Sequence, residues 1–181
     1  MHDFVPSFED TVLPHLDAAY NLARWLTRND RDAEDVVQEA YLRAFKYFAN
    51  FKGGDGRPWL LAIVRNTYHN WIKHNRIPEV ETTFEEDAHL DVVDNVDPES
   101  LLLREYERQM VRRALRQLPI EFMEVIVLRE FEELSYRQIA DVAQIPVGTV
   151  MSRLARARRR LAELVSNYRS KATPAELLVN V

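Results

Sequence analysis

Two small all-α domains joined by an acidic linker are what this sequence predicts, on three observations. Only four glycines occur in 181 residues, while Leu, Ala, Arg and Glu are abundant, which favours helix over sheet. Apolar residues recur at intervals of three and four through most of the chain, the period of a helix with one buried face. That periodicity stops after Ile77 and resumes at Pro98, and the interval is acidic: from Glu79 to Glu99 there are nine acids and no Lys or Arg. Such a stretch repels itself and reads as a linker. The expected divisions are residues 1–77, a linker over 78–97, a second domain over 98–168 and a tail over 169–181.

The elements follow in order. From Thr11 to Arg28 the apolar positions Val12, Leu16, Ala19, Tyr20, Ala23 and Leu26 predict a helix. Asn29-Asp30 reads as a turn. A second helix follows, capped by Asp32, with an apolar stripe of Val36, Val37, Ala40, Tyr41, Ala44, Phe45 and Phe48. Gly53, Gly54 and Gly56 mark a loop. Periodicity resumes from Arg57, with Trp59, Ile63, Thr67 and Trp71 four apart, and Pro78 is the breaker. Asp97-Pro98 has the form of a helix start. That helix runs to about Leu118, and another covers Ile120 to Glu130.

Ser135-Tyr136-Arg137-Gln138 fits a capping box, S-x-x-Q. Behind it Ile139, Ala140, Val142 and Ala143 supply a buried side. After a short break at Gln144-Ile145-Pro146, Val147, Val150, Leu154, Ala157 and Leu161 form a second stripe, with Thr149, Ser152, Arg153, Arg156 and Arg160 largely outside it. A short supporting helix, a tight turn and a second helix with an exposed polar face make the helix-turn-helix pattern, whose second helix enters the DNA major groove. Between Pro146 and Lys171 lie seven basic residues and one acid, a local charge of +6 in a chain of net charge -5. Phosphate binding requires local positive charge, not a basic whole. Arg129 is placed to reach the same groove from the preceding helix.

The helix after the glycine loop carries Arg65, Asn66, His69, Asn70, Lys73 and Arg76 among Trp59, Tyr68 and Trp71. Basic residues interleaved with aromatics suit single-stranded DNA, although Trp59 and Trp71 are better explained as core. His69 and His74 are five apart, which does not set them on one helical face as a metal pair. With no cysteine there is neither a disulfide framework nor a thiolate metal site. No P-loop, HExxH, GxSxG or metal-ligand cluster occurs, which agrees in part with the expectation, implied by the resemblance described below, of no catalytic residue; no metal or cofactor is expected. The start, MHDFVPSFED, lacks the features of a secretory signal, and no apolar run approaches bilayer-spanning length. A soluble, cytoplasmic protein without membrane insertion is expected.

Two stretches together carry a family resemblance. DAEDVVQEAYLRAFK, Asp32 to Lys46, resembles the core-polymerase-binding segment of bacterial sigma factors, and LSYRQIADVAQIPVGTVMSRLARARRRL, Leu134 to Leu161, resembles their C-terminal helix-turn-helix. Their order, spacing and small total length resemble the extracytoplasmic-function (ECF) group of the sigma-70 family, over about Phe8 to Leu164. The resemblance implies a sigma-2-like and a sigma-4-like domain, and a subunit that binds core RNA polymerase and directs it to promoters. It implies that Asp35, Gln38, Glu39 and Arg43 dock on the clamp helices of the largest polymerase subunit. It further implies that Asn50, Lys52, Asp55, Arg65, Asn66, His69, Asn70, Lys73 and Arg76 read the melted minus-ten element. Asn66 aligns with a pocket for an extruded base, and Arg129, Thr149, Ser152, Arg153, Arg156 and Arg160 read the duplex minus-thirty-five element. An anti-sigma factor is an implied partner. The sequence departs from the pattern at Glu133, at Gln144, where a small residue is common, and at Met151, where many relatives are basic. The residues alone leave two other readings open, a stand-alone helix-turn-helix regulator and a helical protein-binding adaptor.

Overall fold

The computed structural model describes residues 7–75 and 98–171, with side chains from 103 onward in the second stretch. Arg76, the linker 78–97 and the chain beyond 171 lie outside the described residues. All regular structure among the described residues is helical.

The first domain begins with α1 (Phe8–Val12), where the Ser7 hydroxyl accepts from the Asp10 amide at 3.0 Å. The single helix expected from Thr11 to Arg28 is divided. Pro14 cannot donate a backbone hydrogen bond, so Leu13–His15 forms a 3-10 turn and α2 runs Leu16–Thr27. Helix α3 (Asp30–Tyr47) starts two residues before the expected Asp32, because Asn29 is extended and its side-chain oxygen accepts from the Asp32 amide at 3.0 Å. Asn29 is therefore the cap. Helix α4 (Gly56–His74) is capped by Asp55, whose carboxylate accepts from the Arg57 amide.

Helices α2, α3 and α4 pack on one another around Ala19, Leu22, Val36, Ala40, Leu60 and Val64, all without solvent exposure. Phe45 departs from its expected place in the stripe. It is 66% exposed, because α3 packs through Ala33, Val36, Val37, Ala40 and Ala44, and Phe45 sits outside them in a T-shaped contact with Phe8. Trp59 joins Phe48 and Phe51 in an aromatic cluster, and Trp71 is partly buried against the core, as expected for both.

The second domain comprises α5 (Pro98–Arg116), α6 (Ile120–Ile126) continued by a π-helical turn (Val127–Phe131), α7 (Tyr136–Ala143) and α8 (Val147–Lys171). Its core holds Leu115, Leu118, Met123, Leu128, Ile139 and Leu154. The capping box forms in full: the Gln138 amide donates to the Ser135 hydroxyl at 3.2 Å, and the Ser135 amide donates to the Gln138 side chain at 2.9 Å. Val147, expected in the buried stripe of α8, is 41% exposed because it is the first helical residue after the turn; the stripe closes from Val150 onward. Helix α8 continues three residues into the region expected to be tail, through Lys171.

Two predictions follow from local geometry. Gly56 is buried, and a Cβ there would collide with the carbonyl oxygen of Thr11. Gly56→Ala should destabilise the protein by about 1–3 kcal/mol, read as a thermal midpoint lowered by roughly 2–4 °C per kcal/mol. Ser135→Ala removes one half of the capping box and should cost about 1 kcal/mol, measured as a lower urea midpoint with an unchanged slope.

Candidate nucleic-acid and polymerase interface

The helix-turn-helix is set by local chemistry. Its turn is closed by Gln144 in the left-handed region, φ 55°, with the Ile145 amide donating to the Ala140 carbonyl at 3.1 Å. On α8, Ser152, Arg156 and Arg160 are exposed, while Thr149 and Arg153 are half-buried. Arg160 pairs with Glu163 at 3.2 Å, and Arg158 with Glu130 of the π-helical turn at 2.7 Å. Among the described residues Arg156 has no ion-pair partner, so its guanidinium is available to an outside acceptor. Arg129 is tied down: it donates to the Leu134 carbonyl at 2.8 Å and lies 5.2 Å over the Tyr136 ring, bracing the entry to α7.

On α3, Asp35, Gln38 and Glu39 form an exposed row, and Arg43 beside them is bound to Glu39 at 2.7 Å. The row continues through Leu42, 63% exposed, and Phe45. Sequence reasoning missed Leu42. The signal was present, since it sits three after Glu39 and outside the apolar stripe. An acidic patch leading into exposed Leu and Phe is a surface suited to a protein partner.

The residues expected at melted DNA are divided. Asn50, Lys52, Asp55, Asn70 and Lys73 are exposed; Asn66 and His69 are half-buried. Arg65 is turned toward the second domain, where its guanidinium is paired with the buried carboxylate of Glu124 in α6. Arg76 lies outside the described residues. Burial pushes the Glu124 carboxyl up, opposed by the attraction and hydrogen bond of Arg65 and by the charge of Arg153. His69 is held down by burial and by Arg65 and Lys73, and its Nε2 is buried without a hydrogen-bond partner among the described residues. His74 instead contacts the Asn70 carbonyl at 2.7 Å, so the two histidines do not converge.

The same seam carries further polar contacts. Arg57 pairs with buried Glu132, to which Asn21 also donates at 2.6 Å. Arg28 donates to the Leu118 carbonyl at 3.1 Å, Gln138 reaches Asp55 at 3.4 Å, and the Trp25 and Phe131 rings lie 5.8 Å apart. Helix α4 thus packs against α7, and α2 against α6. Among the described residues no group of three acids or histidines could hold a metal ion, and no helix is long and apolar enough to cross a membrane.

Comparison with known proteins finds relatives over most of the chain. The family Sigma-70 region 2 matches residues 11–77, and Sigma-70, region 4 matches residues 108–161. The chain is 34% identical over 162 residues to the RNA polymerase sigma-H factor of Pseudomonas aeruginosa, covering 86% of this chain and 84% of that one. It is 30% identical over 167 residues to the ECF RNA polymerase sigma factor SigE of Mycolicibacterium smegmatis, covering 92% of this chain but 65% of the longer relative. Among solved structures, the sigma factor RpoE of Bartonella quintana, crystallised with the anti-sigma factor NepR, superposes with a TM-score of 0.71. That match is 26% identical and covers 88% of this chain and 96% of that one. A sigma-70 region 2 followed by a region 4, on a helical scaffold shared with these relatives, places the chain in the ECF group of the sigma-70 family.

Proposed function

We propose that this chain, a promoter-specificity subunit of RNA polymerase, divides its work among three surfaces. The α3 row of Asp35, Gln38, Glu39, Arg43, Leu42 and Phe45 docks on core polymerase, at the clamp helices of its largest subunit. The α8 face of Ser152, Arg156 and Arg160, with Thr149 and Arg153 at its edge and Arg129 bracing it, reads the duplex minus-thirty-five element. The α4 residues Arg65, Asn66, His69, Asn70 and Lys73, with Asn50, Lys52 and Asp55 before them, hold the melted minus-ten strand. The nucleotide chemistry belongs to the polymerase, and the chain works beside it in the cytoplasm. The observation that carries the reading is the pairing in one chain of an exposed acidic and apolar face on α3 with a capped helix-turn-helix whose second helix exposes Arg156. A stand-alone regulator would not need the α3 face. An anti-sigma factor is a further partner, as the Bartonella quintana protein has one.

Run-off transcription with core enzyme and a promoter library tests the whole reading, and no increase in promoter-dependent product over core alone would refute it. Two substitutions separate the surfaces. Asp35→Lys or Glu39→Lys should weaken core binding about tenfold, roughly 1.4 kcal/mol, in a pull-down or competition assay with helical content unchanged. Equal affinity in both would remove the α3 assignment. Arg156→Ala should cost about 1–3 kcal/mol on the preferred upstream sequence, measured by duplex binding. Equal weakening on every sequence would make Arg156 a phosphate contact.

A further inference from the structure

We infer that Met151, with Val147 and Ala155 beside it, recognises the 5-methyl group of a thymine in the upstream element, so that α8 reads that element partly by apolar contact. This rests on the proposed role of α8 and names the base feature that its leading end takes. The recognition helix of a helix-turn-helix reaches base edges with its N-terminal residues. In this chain those turns carry little that could bind a base by hydrogen bonding. Over residues 147–153 the exposed positions are Val147, Gly148, Met151 and Ser152. Val147 is 41% exposed and Met151 54%. The Ser152 hydroxyl donates to the Thr149 carbonyl at 3.1 Å, which leaves it only as an acceptor. Arg153 is half-buried and close enough to α6 for its charge to act on Glu124.

Val147, Met151 and Ala155 are four apart, so they lie one above another on one side of α8, and all three are exposed. Gly148 stands three before Met151 and four before Ser152, and Ser152 stands four before Arg156, so the apolar row is continuous with the Arg156 face. A Cβ at Gly148 would meet nothing within 4 Å. No internal contact demands a glycine there; what it provides is room for the helix backbone to come close to a ligand. Exposed Met and Val on a face that approaches DNA need an apolar partner. On base edges in the major groove the C5 methyl of thymine is that partner, since the other features are hydrogen-bond donors and acceptors. Methionine suits the task, being unbranched and able to shape itself to an irregular surface. A protein partner would also accept an apolar row, but it would have to share the surface with Arg156, and that continuity favours DNA.

The test uses holoenzyme assembled from the full chain and core polymerase, selecting from a duplex pool randomised across the upstream element, once with the wild type and once with Met151→Ala. The wild type should select thymine at one position, on either strand, where the variant selects no base. Replacing that thymine by uracil removes only the 5-methyl group. The change should weaken wild-type binding about three- to fivefold, the worth of one buried methyl, and leave the affinity of Met151→Ala unchanged. Met151→Leu keeps an apolar side chain of similar size and should keep the response to uracil. Equal uracil penalties in the wild type and Met151→Ala, or none in either, overturn the inference and assign the row to a protein partner. Selection of no upstream sequence by the wild type overturns the reading of α8 and this inference with it. A selected sequence that Arg156→Ala loses, but that shows no methyl dependence through Met151, overturns this inference alone.

Discussion

Glu124 and Glu132 are nearly dry carboxylates, and the way the two halves meet depends on keeping both satisfied. Burying an unpaired carboxylate costs several kcal/mol, so an arrangement of the domains must supply a cation to each. The seam does so with Arg65 and Arg57, and adds Asn21 on the second glutamate. Such pairs contribute little net stability, because desolvation of both partners offsets their attraction. What they contribute is register. Sliding α4 along α6 by one turn would carry both arginines away from their glutamates at once. Tyr68, beside Glu124 and Arg28, has its phenol pushed up to about 12, chiefly by burial.

Charge is distributed so that opposite faces do different work. The chain as a whole is acidic, yet α8 is strongly basic. Several of its arginines are tied internally, Arg158 to Glu130 and Arg169 to Glu107. Exposed pairs of this kind are worth little in stability, but they restrain the direction of long side chains around the Arg156 face. The acids of α3 lie on the other domain, where they make an unfavourable surface for phosphate. An acidic total with one strongly basic helix confines attraction for phosphate to a small part of the surface.

What was legible in the sequence was what is local. The capping box of Ser135 and Gln138 spans four residues, and the structure forms both of its hydrogen bonds. The helix-turn-helix followed from two stripes of period three and four, and the basic face of α8 from counting. Helix starts were less secure: Asn29 and Asp32 are both good caps, and only the extended backbone at Asn29 decides between them. Phe45 was misplaced because a stripe broad enough to include it covers more of the helix than one partner face can bury. The Arg65–Glu124 pairing was invisible, since the partners are 59 residues apart and belong to different domains. Arg65 read as a DNA residue on composition, and nothing in its neighbours announced a glutamate. That pairing emerges only when the two domains are seen together.

Five described positions adopt positive φ, and only two of them are glycine. Gly53 and Gly54 stand in the loop before α4, while Arg28, Glu133 and Gln144 take left-handed geometry at or beside helix ends. A side chain in that region carries strain of roughly 1–2 kcal/mol, but it also narrows the unfolded ensemble that glycine would widen. The chain thus accepts strain in the folded state at its junctions and forfeits less conformational entropy in forming them. Its two positive-φ glycines stand in the loop that leads into α4. Of these, Gln144 alone stands between α7 and α8, so the turn of the helix-turn-helix is made by a residue with a side chain where glycine would leave the backbone freer.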